Sequence, residues 1–310
     1  MAKIGIENIS EVRLTIIPTE RRFDSQGDLG VHSLVSSKYV EKGYDQKPKT
    51  EEEAKARAER DFNGLVSSSP KISAYPINHA NLVVADIAPT RYLIGQALRD
   101  LTKEGKYQPN IFPQMSPDMV GVSLVVPVKI KGDYFLLSQI KGKALGSGEV
   151  HTGLVAGNVD GKYLSTEDPF VATLRNECSE EVGLDLSTLD RTAALYLVDE
   201  RETGQVNFAY LARNADAQQM IHSYDRIVRE KLAAGEALEV MALTAVPIGA
   251  YLEKQESGAL GLRGITVYHP TPNGLAEKVE DRGVRPYTQA TLDYLTKPEN
   301  VKFLLEKAGF

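Results

Sequence analysis

The tightest constraint on how this chain of 310 residues can fold is the run from Gly121 to Ile140. Two apolar, β-branched stretches, GVSLVVPVKI and YFLLSQI, are separated only by Lys131-Gly132-Asp133, which reads as strand, turn, strand. Further strands are expected over 193–198, 206–211 and 239–246. Between and after them lie helical patterns: 216–234, with Met220, Tyr224 and Val228 on its apolar side, 248–255 after Pro247, and two short helices near 288–296 and 298–308. Strands alternating with helices make an α/β fold with a mixed sheet.

The first part of the chain has a different texture. Val12 to Ile17 alternates as a strand ending at Pro18, and residues 23–48 read as loops around one short strand. Thr50 followed by Glu53 forms a capping box that opens a polar, solvated helix. Asn81 to Ala85 reads as a buried strand and Thr90 to Leu101 as a helix. Pro109, Pro113 and Pro117 then mark a junction. The expectation is a smaller α+β domain over 1–115, serving specificity or dimerisation, and a second domain over 116–310 that carries the C-terminal helices.

Composition narrows the function classes. Cys178 is the single cysteine, so neither an intrachain disulfide nor a cysteine-built zinc site can form. The net charge of −6, from 36 basic and 42 acidic side chains, disfavours nucleic acid as a partner, because such binding needs phosphates neutralised by Lys and Arg. No apolar run reaches membrane-spanning length, and MAKIGIENIS lacks a signal-peptide core. A cytoplasmic protein without a membrane partner is expected, and a small phosphorylated ligand held by a few local cations remains open.

Chemistry concentrates in 153–186, GLVAGNVDGKYLSTEDPFVATLRNECSEEVGLDL. Asp168-Pro169 is a helix start, with Asp as cap and Pro at the first helical position. Gly183 is a helix stop. On a helix over 169–182 the residues Val171, Leu174, Cys178 and Val182 form the buried stripe, which makes Cys178 a core residue. Glu177 and Glu181 lie together along the edge of that stripe, and Glu180 points further out. Like charges four apart destabilise a helix, and a cation between them reverses the sign. Three carboxylates beside a glycine-rich turn suit a hard divalent metal.

This segment resembles the Nudix box, Gx5Ex7REUxEExGU with U aliphatic, the signature of the Nudix hydrolases. Glu177-Cys178-Ser179-Glu180-Glu181-Val182-Gly183-Leu184 matches its second half, while Gly161, Glu167 and Arg175 are spaced as Gx5Ex7R. The halves are out of step by one residue, Asn176. Either a π-bulge absorbs that residue, or Asn176 replaces the arginine, Asp168 replaces the first glutamate, and Ala156-Gly157-Asn158-Val159-Asp160 stands for the family's Gly-Gly turn. The second alternative is preferred because VAGNVD follows a strand as that turn does. Residues 118–256 also resemble the family in the paired leucines Leu136-Leu137 and in the acidic residue Glu239 before a Val-Pro strand end. Within 1–115, VADIAPTRYLIGQALRDL is similar to the preceding domain of UDP-sugar diphosphatases. It carries Thr90, Tyr92 and Gly95 at altered spacing, without the Thr-Asn pair.

The resemblance implies a Nudix α/β/α sandwich with a mixed sheet, hydrolysing a nucleoside diphosphate linked to another group with Mg²⁺ or Mn²⁺. It implies Glu177, Glu180 and Glu181 as metal ligands and catalytic carboxylates, with the Gly157 carbonyl completing the shell. Glu239 becomes a candidate general base on a later loop. Lys141, Lys143, His151 and Arg175 become candidate contacts to substrate, and a small nucleotide, including a nucleotide sugar, becomes the substrate class. A homodimer is allowed for. The alternative is a Nudix-fold module that senses a nucleotide with little or no cleavage, motivated by the displaced arginine.

Overall fold

The computed structural model describes residues 4–17, 65–77, 80–91, 104–105, 119–142, 148–186, 193–200, 205–236, 238–254, 259–271 and 273–310. In chain order the strands are β1 (Ile4–Ile16), β2 (Leu65–Ile77), β3 (Ala80–Arg91), β4 (Met119–Ile130), β5 (Asp133–Lys141), β6 (Val150–His151) and β7 (Gly153–Asn158). They continue as β8 (Ala193–Glu200), β9 (Gln205–Leu211), β10 (Val240–Pro247), β11 (Glu253–Lys254), β12 (Leu260–Thr271) and β13 (Gly274–Gly283). The helices are α1 (Pro169–Glu177), α2 (Ala217–Ala233), α3 (Pro286–Tyr294) and α4 (Pro298–Ala308). The fold is mixed α/β, dominated by one large mixed sheet with few helices among the described residues.

β4 organises that sheet. Its residues from Met119 to Val128 are buried without a break, as a strand covered on both faces requires, so it reads as a continuous apolar run and not as an alternation. Its first half lies between β7, antiparallel, and β9, parallel. From Val126 onward it pairs with β5, which in turn pairs with β10. The two-residue turn between β4 and β5 is Lys131-Gly132, both at positive φ as a tight hairpin turn needs, and Asp133 already belongs to the strand.

Side chains on opposite faces of β4 enter different cores. Leu124 joins a cluster with Phe170, Leu174, Met220 and Tyr224, which come from α1 and α2. Val125 joins a second cluster with Tyr287, Leu292 and Leu304, which come from α3 and α4. Helices therefore cover both faces of the sheet. Phe170 anchors α1 by packing on Phe208 of β9, ring centroids 4.7 Å apart. Fully burying such a side chain stabilises by about 1.5–3 kcal/mol.

Several expectations need correction. The strand expected over 81–85 extends from Ala80 to Arg91, so Thr90 ends a strand and does not begin a helix. β2 was not expected at all. Residues 248–254 are not helical: the Ile248 N–H donates to Tyr134 O at 3.0 Å, and Gly249 at φ 88° turns the chain into β11. The β12–β13 hairpin also went unforeseen. β1 pairs parallel with β3 and antiparallel with β8, so the described strands before residue 91 continue the sheet that holds β8 and β9. The helix expected from Thr50, most of the helix expected to Leu101 and nearly all of the proline-rich junction lie outside the described residues. Among the described residues no helix is long and apolar enough to cross a membrane.

Candidate active site

The site forms where β7 ends against the last turn of the helix that follows it. Asp168 caps α1 as its sequence implies, its carboxylate accepting from the Phe170 and Val171 N–H groups at 3.0 Å. Pro169 has no N–H to satisfy, so satisfying the Phe170 and Val171 donors leaves little of the helix start open and fixes where it begins. The helical chain does not end at Glu177. It continues as a π-helical turn over Cys178–Val182 and stops at Gly183, φ 68°, in the left-handed conformation expected of a glycine stop.

That π-turn begins at Cys178, beyond Glu177, so it does not absorb the residue that separates Arg175 from Glu177. Residues 156–158 are the end of β7 and not a turn, and this strand end faces Glu177 and Glu181 through Gly157 and Ala156.

Gly157 is the point of closest approach. A β-carbon there would overlap Glu177 Oε1 and lie 2.6 Å from its Cδ, so only glycine lets the helix carboxylate rest on the β7 backbone. Glu181 is 5% exposed and enters more deeply. Its Oε1 receives the Lys141 ammonium, and its Oε2 receives the Ala156 N–H at 3.4 Å. Lys141, at the end of β5, also donates to Ala156 O at 3.3 Å. Glu177 has no hydrogen-bond or ion-pair partner among the described residues.

The electrostatics follow from this asymmetry. Burial pushes the Glu177 carboxyl up to about 8, and the charges of Glu181, Glu239 and Glu180 push the same way against the pull of Lys141. Burial likewise raises Glu181, and Lys141 opposes that shift. Glu239 is exposed just before β10, yet its charge acts on both Glu177 and Glu181. Its carbonyl accepts from the Gly142 N–H at 2.9 Å, which holds that segment beside Lys141.

The structure therefore brings Lys141, Gly157, Glu177, Glu181 and Glu239 together. Glu180 is exposed and stands further out, acting on Glu177 through its charge. Arg175 is exposed on α1, with no side-chain partner among the described residues. Lys143 lies outside the described residues. His151 is buried, its ring stacked on Tyr287 at 4.6 Å and its Nδ1 accepting from the Gly153 N–H at 3.1 Å. Burial, with the nearby charges of Arg285 and Lys141, lowers it to about 3, so it is neutral.

Tyr287 was not picked out from the sequence. Its hydroxyl meets Ser123 Oγ at 2.6 Å, and Thr288 bridges the Thr152 N–H and the Val150 carbonyl at 3.0 and 2.8 Å. These bonds fasten the first turn of α3 to the strand that carries His151. The available signal was slight: Arg285-Pro286 marks a helix start, but nothing local says which strand the helix will meet.

Among the described residues no three or more His, Cys, Asp or Glu side chains gather closely enough to hold a metal ion as a group. A half-buried carboxylate without a donor among the described residues, repelled by its neighbours, is nevertheless what one cation would neutralise, and Mg²⁺ commonly takes one or two carboxylates, completing its shell with water and substrate phosphates. Glu177 fits that description.

No protein-family model matches the chain, and no curated protein matches it. Among solved structures, a MutT/Nudix family protein from Enterococcus faecalis is similar at 14% identity, over 68% of this chain and 73% of that one, with a TM-score of 0.30. A likeness that loose carries no argument about this chain.

Proposed function

We propose that the chain is a Nudix-type hydrolase that cleaves the diphosphate bond of a nucleoside diphosphate linked to another group, with Mg²⁺ or Mn²⁺ bound at Glu177. The observation that carries this reading is the Glu177 carboxylate, lodged on Gly157 in the helix that matches the box, and without a protein partner among the described residues. A bound divalent ion neutralises phosphate charge and lowers the pKa of a coordinated water. The chain's own residues do the positioning. Gly157 and the π-turn fix Glu177, and the Lys141–Glu181 pair ties the helix end to β5 and β7. In this reading Glu239, the exposed carboxylate whose charge acts on Glu177 and Glu181, takes a proton from an attacking water, and Glu180 adds negative charge at the rim. The substrate class is a small nucleotide, nucleotide sugars included, with residues 1–115 serving specificity or dimerisation.

A nucleotide-sensing module is the second reading. Two observations favour it: Glu181 is already paired with Lys141, and among the described residues no group of three acidic side chains is assembled to hold a metal ion. The two are separated by incubating the protein and Mg²⁺ with nucleoside triphosphates, ADP-ribose, nucleotide sugars and dinucleotides, and following phosphate release with and without phosphatase. Cleavage of one class, lost in Glu177→Gln, supports the hydrolase. Saturable binding without product points to the sensor.

A further inference from the structure

Both oxygens of Glu181 are engaged by the protein. One takes the Lys141 ammonium and the other the Ala156 N–H, while Lys141 closes the ring by donating to the Ala156 carbonyl. The ring is interior: side-chain exposure is 9% for Lys141 and 1% for Glu181. A lysine head group carries three donors and no acceptor, and here two of those donors have fixed acceptors. Glu177, four residues earlier, has no such donor. The box therefore presents two carboxylates in opposite states, Glu181 buried and satisfied from within, Glu177 half-buried and open.

We propose that Lys141 is the resident counter-cation of Glu181, so that Glu181 is a positioning residue withheld from the divalent ion, which is held through Glu177. The inference rests on the reading of Glu177 given above. A divalent ion that took Glu181 as a ligand would leave the buried ammonium without its counter-charge, and an unpaired buried charge is strongly unfavourable. The ammonium also repels any cation approaching Glu181. Removing it eliminates both obstacles, so loss of Lys141 should improve metal binding, the opposite of what loss of a substrate-binding lysine would do.

The test is a Mn²⁺ titration of the full chain, with free Mn²⁺ followed by electron paramagnetic resonance. Lys141→Met is expected to bind Mn²⁺ about tenfold more tightly than the parent, the scale on which outer-shell partners tune metal affinity. Adding Glu181→Gln to Lys141→Met should remove that gain. Glu181→Gln alone should change Mn²⁺ affinity by less than about threefold, far below the roughly 10–100-fold expected for a partner the ion depends on. Glu177→Gln should abolish binding. Equal losses in Glu181→Gln and Glu177→Gln, or no gain in Lys141→Met, would overturn the proposal. If Lys141→Met fails to fold by circular dichroism, the comparison of the two glutamine variants decides it. Mn²⁺ binding by Lys141→Met but not by the parent would uphold the role of Lys141 and sink the reading of Glu177. Binding by neither would overturn both.

Discussion

The α-carbon of Gly157 is the seat on which the Glu177 carboxylate rests, with no space between them for a β-carbon. Gly157→Ala should therefore displace Glu177 while leaving the cores on both faces of the sheet intact. The expected result is a folded protein with a melting temperature within a few degrees of the parent and a large loss of divalent-ion binding and turnover. Unchanged Mn²⁺ affinity would show that Glu177 does not act from this position.

Glu177 makes the site pay in stability. Its carboxyl is raised to about 8 in the fold, against an ordinary value of 4.5, so the folded state holds a proton that the unfolded chain releases. The contribution is fully present below pH 4.5 and is lost as pH rises toward 8. Relative to Glu177→Gln, the parent should lose on the order of 2–4 kcal/mol across that window. Saturating Mg²⁺ should restore much of it by binding only the folded form. Denaturant unfolding at several pH values checks both statements, and parallel curves for the two proteins would contradict them.

His151 should act in the opposite direction. Held at about 3 in the fold and near 6.5 when unfolded, it takes up a proton on unfolding across that interval. Stability is fully present above pH 6.5 and falls as pH drops toward 3. His151→Gln should flatten this acid limb without changing the neutral-pH pattern assigned to Glu177. An acid limb of unchanged slope would mean that His151 already carries a proton in the fold.

The Ser123–Tyr287 contact fastens α3 to the central strand. Tyr287→Phe should keep the ring stacked on His151 and leave Ser123 Oγ without its partner, at a loss of about 1–3 kcal/mol. Adding Ser123→Ala should recover part of that loss, because the pair acts as a unit. Strict additivity in thermal unfolding would show that the two hydroxyls are independent.

How much of this was legible beforehand depended on how local each signal was. Asp168, Pro169 and Gly183 encode the helix limits within a few residues, and the β4–β5 hairpin is written in one apolar run with its turn. α2 followed from its apolar periodicity, and the short helices expected near 288–296 and 298–308 are α3, displaced by two residues, and α4. β12 escaped notice because its register shifts between Leu262 and Ile265 around Gly264, which interrupts the alternation. β13, GLAEKVEDRG, is largely solvent-facing and has little apolar pattern to betray a strand. Within the site, the acidic spacing located Glu177 and Glu181. It could not show that one is open and the other paired, because Lys141 meets Glu181 across 40 residues of sequence. A lysine ending an apolar strand looks like a solvated terminus until the helix is placed against it.

The most direct measurement is release of the two phosphorylated products of diphosphate cleavage by the parent and by Glu177→Gln, with Mg²⁺ and with EDTA. The products, the nucleoside monophosphate and the phosphorylated second group, are separated by ion-exchange chromatography. Release by the parent that requires Mg²⁺, and its loss in a Glu177→Gln protein that is folded and melts higher, is the expected outcome. Turnover by Glu177→Gln within about tenfold of the parent, a difference of only about 1.4 kcal/mol in barrier height, would contradict the assignment of Glu177 as the carboxylate on which the chemistry depends.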